Sequence, residues 1–292
     1  MLSAIFVLPG LAAEKTGASI WLAYLLAGLS VLPAALCKAE LATAMPASGG
    51  TYVYMARAFG PLVGTIAGLG LWLSLLLKSA FSLVGFGAYL VVLADLPIKP
   101  MALSLLVALT ALNVLGVRKV SKAQLVAVGL SVGGLTLFCL MSIGAFDSRN
   151  MEPLFPEGGT GFLAAAGFLF VSYAGVTKVA ALAEEVKNPD KNLPLAILIS
   201  LTIAIIIYAS VSLALAGVVP IEELKGDLKP IYTLANILGG SALVALAAVL
   251  AIITMAAMAT AGLLAASRFP FAMSRDQLLP SKLTFIHPRF KT

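Results

Sequence analysis

The chain has 292 residues, 61% of them hydrophobic and 11% charged, with a mean hydropathy of +1.05. A soluble domain carries about 25% charged residues, so this composition excludes a chain of this size that wets its whole surface. The formal net charge of +6 traces to the loops on one side of a membrane, as shown below, and is no nucleic-acid signature.

Continuous apolar runs, several near the ~20 residues that cross a bilayer, predict an all-α polytopic membrane protein. A membrane barrel would alternate over strands of about 10 residues instead. The first run, residues 1–13, opens on MLSAIFVLPG, which lacks the basic start of a signal peptide, and it is too short to cross alone. The second covers 18–45. Residues 45–60, MPASGGTYVYMARAFG, are amphipathic and predict a short helix on the membrane surface. The third run, 61–95, is long enough for a tilted helix. The fourth to eighth cover 99–116, 121–146, 160–183, 192–219 and 241–267, with 221–240 as an outer lid between the last two. Cys37 and Cys139 fall inside apolar runs and read as small core residues. His287, the one histidine, reads as a solvated loop residue.

The loops orient the spans. One alternating set carries eleven basic residues: Arg57, Arg118, Lys119, Lys122, Lys187, Lys191, Arg268, Arg275, Lys282, Arg289 and Lys291. The other carries five, Lys15, Lys99, Arg149, Lys225 and Lys229, together with eight acids from Glu14 to Asp227. The positive-inside rule places the first set in the cytoplasm, against anionic lipid.

The sixth run breaks the apolar pattern. It sets Ser172, Tyr173, Ala174 and Gly175 in a row, then Lys178, and ends in charge at Glu184, Glu185, Lys187, Asp190 and Lys191. Small residues there serve either an unwound turn or close helix packing. Lys78, inside span 3, and Lys178 are costly at bilayer depth and are functional candidates by default. A desolvated ammonium sheds its proton more readily, which suits a coupling proton; snorkelling or bracing a helix-end carbonyl are the plainer roles. Glu40 lies near the inner end of span 2 beside Lys38, where it closes an inner gate, caps a helix or joins a surface ion pair. Gly60, Gly64 and Gly68, and again Gly129 and Gly133, have the spacing of close-packing faces.

Intramembrane enzymes are disfavoured. A zinc protease needs HExxH, a serine protease needs a histidine within a span, and a diaspartyl protease needs two midplane aspartates; none is present. A channel would show a repeated filter or an aqueous polar face, and neither is evident.

The inter-span stretches AELATAMPASGGTYVYMARAFGP (39–61), AEEVKNPDKNLPLAI (183–197) and ASRFPFAMSRDQLLP (266–280), followed by HPRFKT, resemble those of amino-acid permeases of the amino acid–polyamine–organocation superfamily. The opening IFVLPG is similar to their first-helix signature, with Leu2, Ser3 and Ala4 standing where the family carries glycines. The resemblance implies a LeuT-like five-plus-five inverted repeat, with a first repeat over about 1–146 and a second, incomplete one over about 160–292. It also implies a single transporter domain truncated in helix 1 and after helix 8. Helices 1 and 6 are expected to be broken near the midplane. Free N–H groups at one half-helix start suit a carboxylate and free carbonyls at the other end suit an ammonium.

The expected substrate residues are Ser3, Ala4, Ile5 and Phe6 on helix 1, and Ser172, Tyr173, Ala174, Gly175 and Val176 on helix 6. Coupling or gating candidates are Lys78, Lys178 and Glu40. Some relatives place a lysine of the fifth helix where others bind sodium; that position falls near Ser131 here, so a proton and a sodium ion both stay open as coupling ions. No metal site or cofactor is implied. The expected partners are a small amino acid or amine and the lipid bilayer, with no nucleic acid, and the expected location is the cell membrane. The expected function is secondary active transport by alternating access; the alternative is a non-transporting scaffold or inactive permease fragment.

Overall fold

The computed structural model describes residues 2–45, 49–93, 97–115, 117–175, 186 and 188–285. Among these every regular element is helical. A 3₁₀ turn, Leu2–Phe6, leads into α1 (Leu8–Thr16), and α2 (Ile20–Ala44), α3 (Thr51–Phe59), α4 (Pro61–Leu93), α5 (Ile98–Leu115) and α6 (Val117–Ser142) follow. Then come α7 (Gly158–Tyr173), α8 (Pro189–Val218), the short α9 (Ile221–Leu224), α10 (Pro230–Leu238) and α11 (Ser241–Arg275). Spans 1 to 8 of the sequence are therefore α1, α2, α4, α5, α6, α7, α8 and α11. Five stretches are long and apolar enough to cross a membrane: Leu8–Ala44, Pro61–Val91, Ala123–Ala145, Pro189–Val218 and Ser241–Arg275; α5 and α7 add two shorter apolar helices.

The first of those stretches is not one rod. Gly17 has φ +60°, a conformation L side chains avoid, and a Cβ there would strike Pro156. The turn Gly17–Ser19 sends the chain back on itself, so that Ala174 lines one cavity with Ala4 and another with Val31.

Helices five spans apart pack against each other and run antiparallel. On α2 and α8, Ala42 shares a cluster with Leu193 while Gly28 abuts Ile205. On α4 and α11, Gly68 faces Met273, Ser79 faces Gly262 and Gly85 faces Met255. On α1 and α7, the carbonyl of Lys15 abuts Gly161. In the first two pairs the numbering rises along one helix as it falls along its partner.

The two loop sets lie at opposite ends of this bundle. At one end the Tyr52 hydroxyl donates to Asp276 Oδ2 at 2.7 Å, and Val186 packs near Phe269. At the other, Asn150 Nδ2 donates to Gly217 O at 3.1 Å and Gly226 N donates to Gly10 O at 3.0 Å. The loop joining α9 to α10 thus rests on α1 at Gly10.

Four local expectations need correction. The amphipathic helix α3 is no loose surface element: Tyr52, Val53 and Tyr54 are buried against Ala42, Leu193, Phe269 and Met273. The eighth span runs on through Pro270 to Arg275, because Phe269, Ala272 and Met273 are held in that same cluster. In span 5 a Cβ on Gly129 or Gly133 would meet nothing, and the close contact is at Gly134 against Leu250; in span 3, Gly64 against Ala56 and Gly68 against Tyr52 pack as expected, while Gly60 does not. Cys37 is exposed on the bundle's surface and Cys139 is partly buried.

Candidate substrate site

The first break is the 3₁₀ turn Leu2–Phe6, all of it buried. Its last hydrogen bond, Val7 N to Ala4 O, spans 3.2 Å, and Val7 itself leaves helical geometry at φ −134°. Pro9 then stands in the first turn of α1, where the missing N–H costs nothing. The turn leaves the Phe6 carbonyl without a helical partner. It is taken by the hydroxyl of Tyr89 on α4 at 2.7 Å, with the two rings edge to face at 6.0 Å.

The place expected for the second break is where α7 stops at Tyr173. Ala174 N closes the last turn onto Val171 O at 3.2 Å, and Ala174–Gly175 form a turn. The same Val171 carbonyl accepts from Lys78 Nζ at 2.8 Å. Lys78 is thus found bracing a helix-end carbonyl, the plainer of its expected roles, at the break itself.

Among the described residues, three cavities adjoin the Leu2–Phe6 turn and the end of α7. The largest, about 520 Å³ between α1, α4 and α7, is lined by Ser3, Ala4, Ser74, Lys78, Ser82 and Ala174 among others. A second, about 340 Å³, lies between the first turn, α6, α8 and α11, with Ser3, Gln124, Ser131, Gly175, Ser200 and Thr254 on its wall. A third, about 170 Å³ and nearer the inner end, holds Lys38, Thr51, Ser74, Lys78, Tyr173 and Ala174. Ser3 faces both larger spaces, so the structure brings Ser3, Ala4, Ala174 and Gly175 together around connected walls.

The other expected residues are placed differently. Ile5, Phe6 and Ser172 are fully buried and line none of these three cavities. The Ser172 hydroxyl lies beside that of Tyr24 without an aligned hydrogen bond. Tyr173 donates to Tyr24 O at 2.9 Å, and its ring packs on Tyr208 at 5.2 Å, so its phenol braces α2 and α8 while its flank reaches the smallest cavity. Glu40 is exposed and forms no ion pair among the described residues. Val176, Lys178 and His287 lie outside the described residues.

Sequence reasoning missed Tyr24, Tyr89 and Tyr208. The available signal was a phenol deep in an apolar run, which needs a partner once buried. It also missed the pairing of Ser131 with Thr254, whose hydroxyls touch across α6 and α11. Each is also bonded to its own helix, to Ala127 O and Leu250 O, both at 2.6 Å. Two hydroxyl protons cannot serve three contacts, so one of the three is a close approach without a proton of its own.

At the inner end, burial and then the neighbouring Asp276 carboxylate push the Tyr52 phenol well above its ordinary range, and burial raises Tyr54 to about 12. Both remain neutral at physiological pH.

The whole chain, residues 1–292, matches the amino acid permease family. The chain belongs to that family. It is 32% identical to the methylthioribose transporter of Bacillus subtilis over 99% of this chain and 67% of that protein. It is 30% identical to the branched-chain amino acid permease of the same organism, over 99% and 66%. A chloroplastic cationic amino acid transporter of Arabidopsis thaliana is 31% identical, over 97% and 54%. The chain thus spans about two thirds of the length of the bacterial relatives it matches. As a permease it is a multi-pass membrane protein and a transporter-family member, not an enzyme.

Proposed function

We propose that the protein is a secondary active transporter of amino acids or related amines, working by alternating access in the cell membrane. The observation that carries this reading is the convergence of the Leu2–Phe6 turn and the end of α7 on two cavities that share Ser3. Ser3 and Ala4 approach from the first break, Ala174 and Gly175 from the second. Irregular backbone is tolerated at membrane depth only where it lines a cavity, and helix ends there offer opposite partial charges to a zwitterion. Relatives named for branched-chain and for cationic amino acids support the substrate class.

The five-plus-five organisation, with repeats over about 1–146 and 160–292, is supported by the packing of α1 on α7, α2 on α8 and α4 on α11, each pair five spans apart and antiparallel. An inverted repeat sets its equivalent helices in this relation about its two-fold axis.

For coupling, a sodium ion would be held by the hydroxyl oxygens of Ser131 and Thr254, hard neutral ligands suited to a hard cation. A coupling proton would sit on Lys78 or Lys178. Uptake of radiolabelled amino acids into proteoliposomes tests the function, with sodium and pH gradients imposed separately. Saturable, gradient-driven uptake is expected; its absence for every amino acid would favour the scaffold reading.

A further inference from the structure

The loop over residues 225–229, between α9 and α10, meets α1 backbone to backbone. A Cβ on Gly10 would strike the carbonyl of Asp227 and stand 2.9 Å from its amide nitrogen. Gly226 N donates to Gly10 O at 3.0 Å. Gly226 itself has φ +71°, a conformation L side chains avoid, and a Cβ there would lie 2.8 Å from Glu14 Oε1. Glycine at both places lets the two segments come this close.

The loop is stiffened from within. Asp227 Oδ1 accepts from Lys229 N at 2.7 Å, and its Oδ2 accepts from the Thr233 hydroxyl at 2.6 Å. The carboxylate thereby satisfies donors at the start of α10. Leu224, Ile231 and Leu234 flank the loop with fully buried side chains.

Next to this loop lies the brace of the first turn. Tyr89 is fully buried and donates to Phe6 O at 2.7 Å, and the Asp227 carboxylate and the Ile231 backbone stand beside its phenol. Gly10 follows Phe6 by about one helical turn. The 221–240 segment thus touches the start of the chain at two adjoining points, Gly10 directly and Phe6 through Tyr89. Lifting the loop breaks its bond to Gly10 and uncovers the phenol. Tilting the turn takes Phe6 O off Tyr89 and leaves a buried carbonyl unpaired, which is costly.

We propose that the 221–240 segment and the Leu2–Phe6 turn are one switch joined through Tyr89. A segment seated on Gly10 keeps Tyr89 on Phe6 O and so holds the turn in shape, and a turn that gives up Tyr89 releases the segment. Coupling of this kind is reciprocal. A solute held at the turn therefore keeps the segment down, and a seated segment tightens binding at the turn by the same factor. The coupling belongs to the empty protein and does not depend on the transport reading.

The test is hydrogen exchange of the full chain in lipid nanodiscs, for wild type, Tyr89→Phe and Gly226→Val, read over residues 3–8 and 222–234. Residues 195–208 of α8 serve as the control. Tyr89→Phe keeps the ring and removes the hydroxyl. Besides loosening the turn, it should quicken exchange over 222–234 by about tenfold. Gly226→Val strains the loop at its positive φ and presses on Glu14. Besides loosening the loop, it should quicken exchange over 3–8 by about tenfold. In both variants the control should exchange as in wild type. Quickening confined to the turn in Tyr89→Phe, or confined to the loop in Gly226→Val, overturns the proposal. Quickening that reaches the control equally is general loosening and overturns it too. If Tyr89→Phe does not assemble, Gly226→Val decides alone, because coupling runs both ways.

Discussion

Both breaks are braced from α4, and the two braces differ in kind. The first break ends on Phe6 O, which takes the neutral phenol of Tyr89; the second ends on Val171 O, which takes the ammonium of Lys78. The two donors are eleven residues apart, close to three turns of 3.6, so one face of one helix serves both breaks. Tyr89 is fully buried in packed side chains, whereas Lys78 borders two cavities. A neutral donor locked in packing makes a fixed hinge. A charged donor beside open space can exchange its partner, which suits the break whose carbonyl end a substrate approaches.

The difference can be attacked by mutation. The largest effect is expected at the second break itself: Gly175→Leu puts a branched side chain into a buried turn on the cavity wall, and specific binding of labelled amino acid in a scintillation proximity assay should be lost. Ser172→Phe should do the same, since its site beside Tyr24 has no exposed surface to absorb a ring. Persistent binding in both would separate substrate from this break. Next comes Tyr89→Phe. It leaves a buried carbonyl without its donor, at a cost of about 1–3 kcal/mol, and should lower the melting temperature in detergent by several degrees. Lys78→Gln keeps an N–H donor for Val171 O and should melt closer to wild type; a loss as large as in Tyr89→Phe would erase the distinction between the two braces.

The smallest effect belongs to the inner end. Tyr52→Phe breaks the bond to Asp276 near solvent, where water replaces much of it, and should cost about 1 kcal/mol. Hydrogen exchange should quicken over 274–280. The pH dependence has a definite sign. The folded state raises the phenol above its ordinary value near 10, so the bond's contribution is whole below that pH and is lost as pH rises through the folded value. The gap between wild type and Tyr52→Phe should therefore be constant from about pH 6 to pH 9.

Much of this architecture was legible in the sequence, and the illegible part has one physical cause. Hydropathy located the spans, and Lys and Arg sorted the loops into two sets that the structure puts at opposite ends. SYAG marked the place where α7 stops. Within the membrane, however, lipid is as apolar as a protein core. Leu62 and Leu125 are exposed while Leu135 and Leu169 are buried, and nothing in their identity separates them. Apolar pattern reports depth and not facing, which is why Cys37 was read as core, Gly129 and Gly133 as a packing face, and the burial of α3 was not foreseen. The phenols of Tyr24, Tyr89 and Tyr208 escaped notice for the same reason: each sits in a span whose surroundings only the fold decides.

On the proposed function, substrate lies between the Leu2–Phe6 turn and the end of α7. A structure determined with a transported amino acid bound tests it directly. Ligand density is predicted between Ser3–Phe6 and Ser172–Gly175, within reach of the Val171 carbonyl that Lys78 now holds. Density seated elsewhere, such as beneath the lid at Gly226 with both breaks untouched, would contradict it.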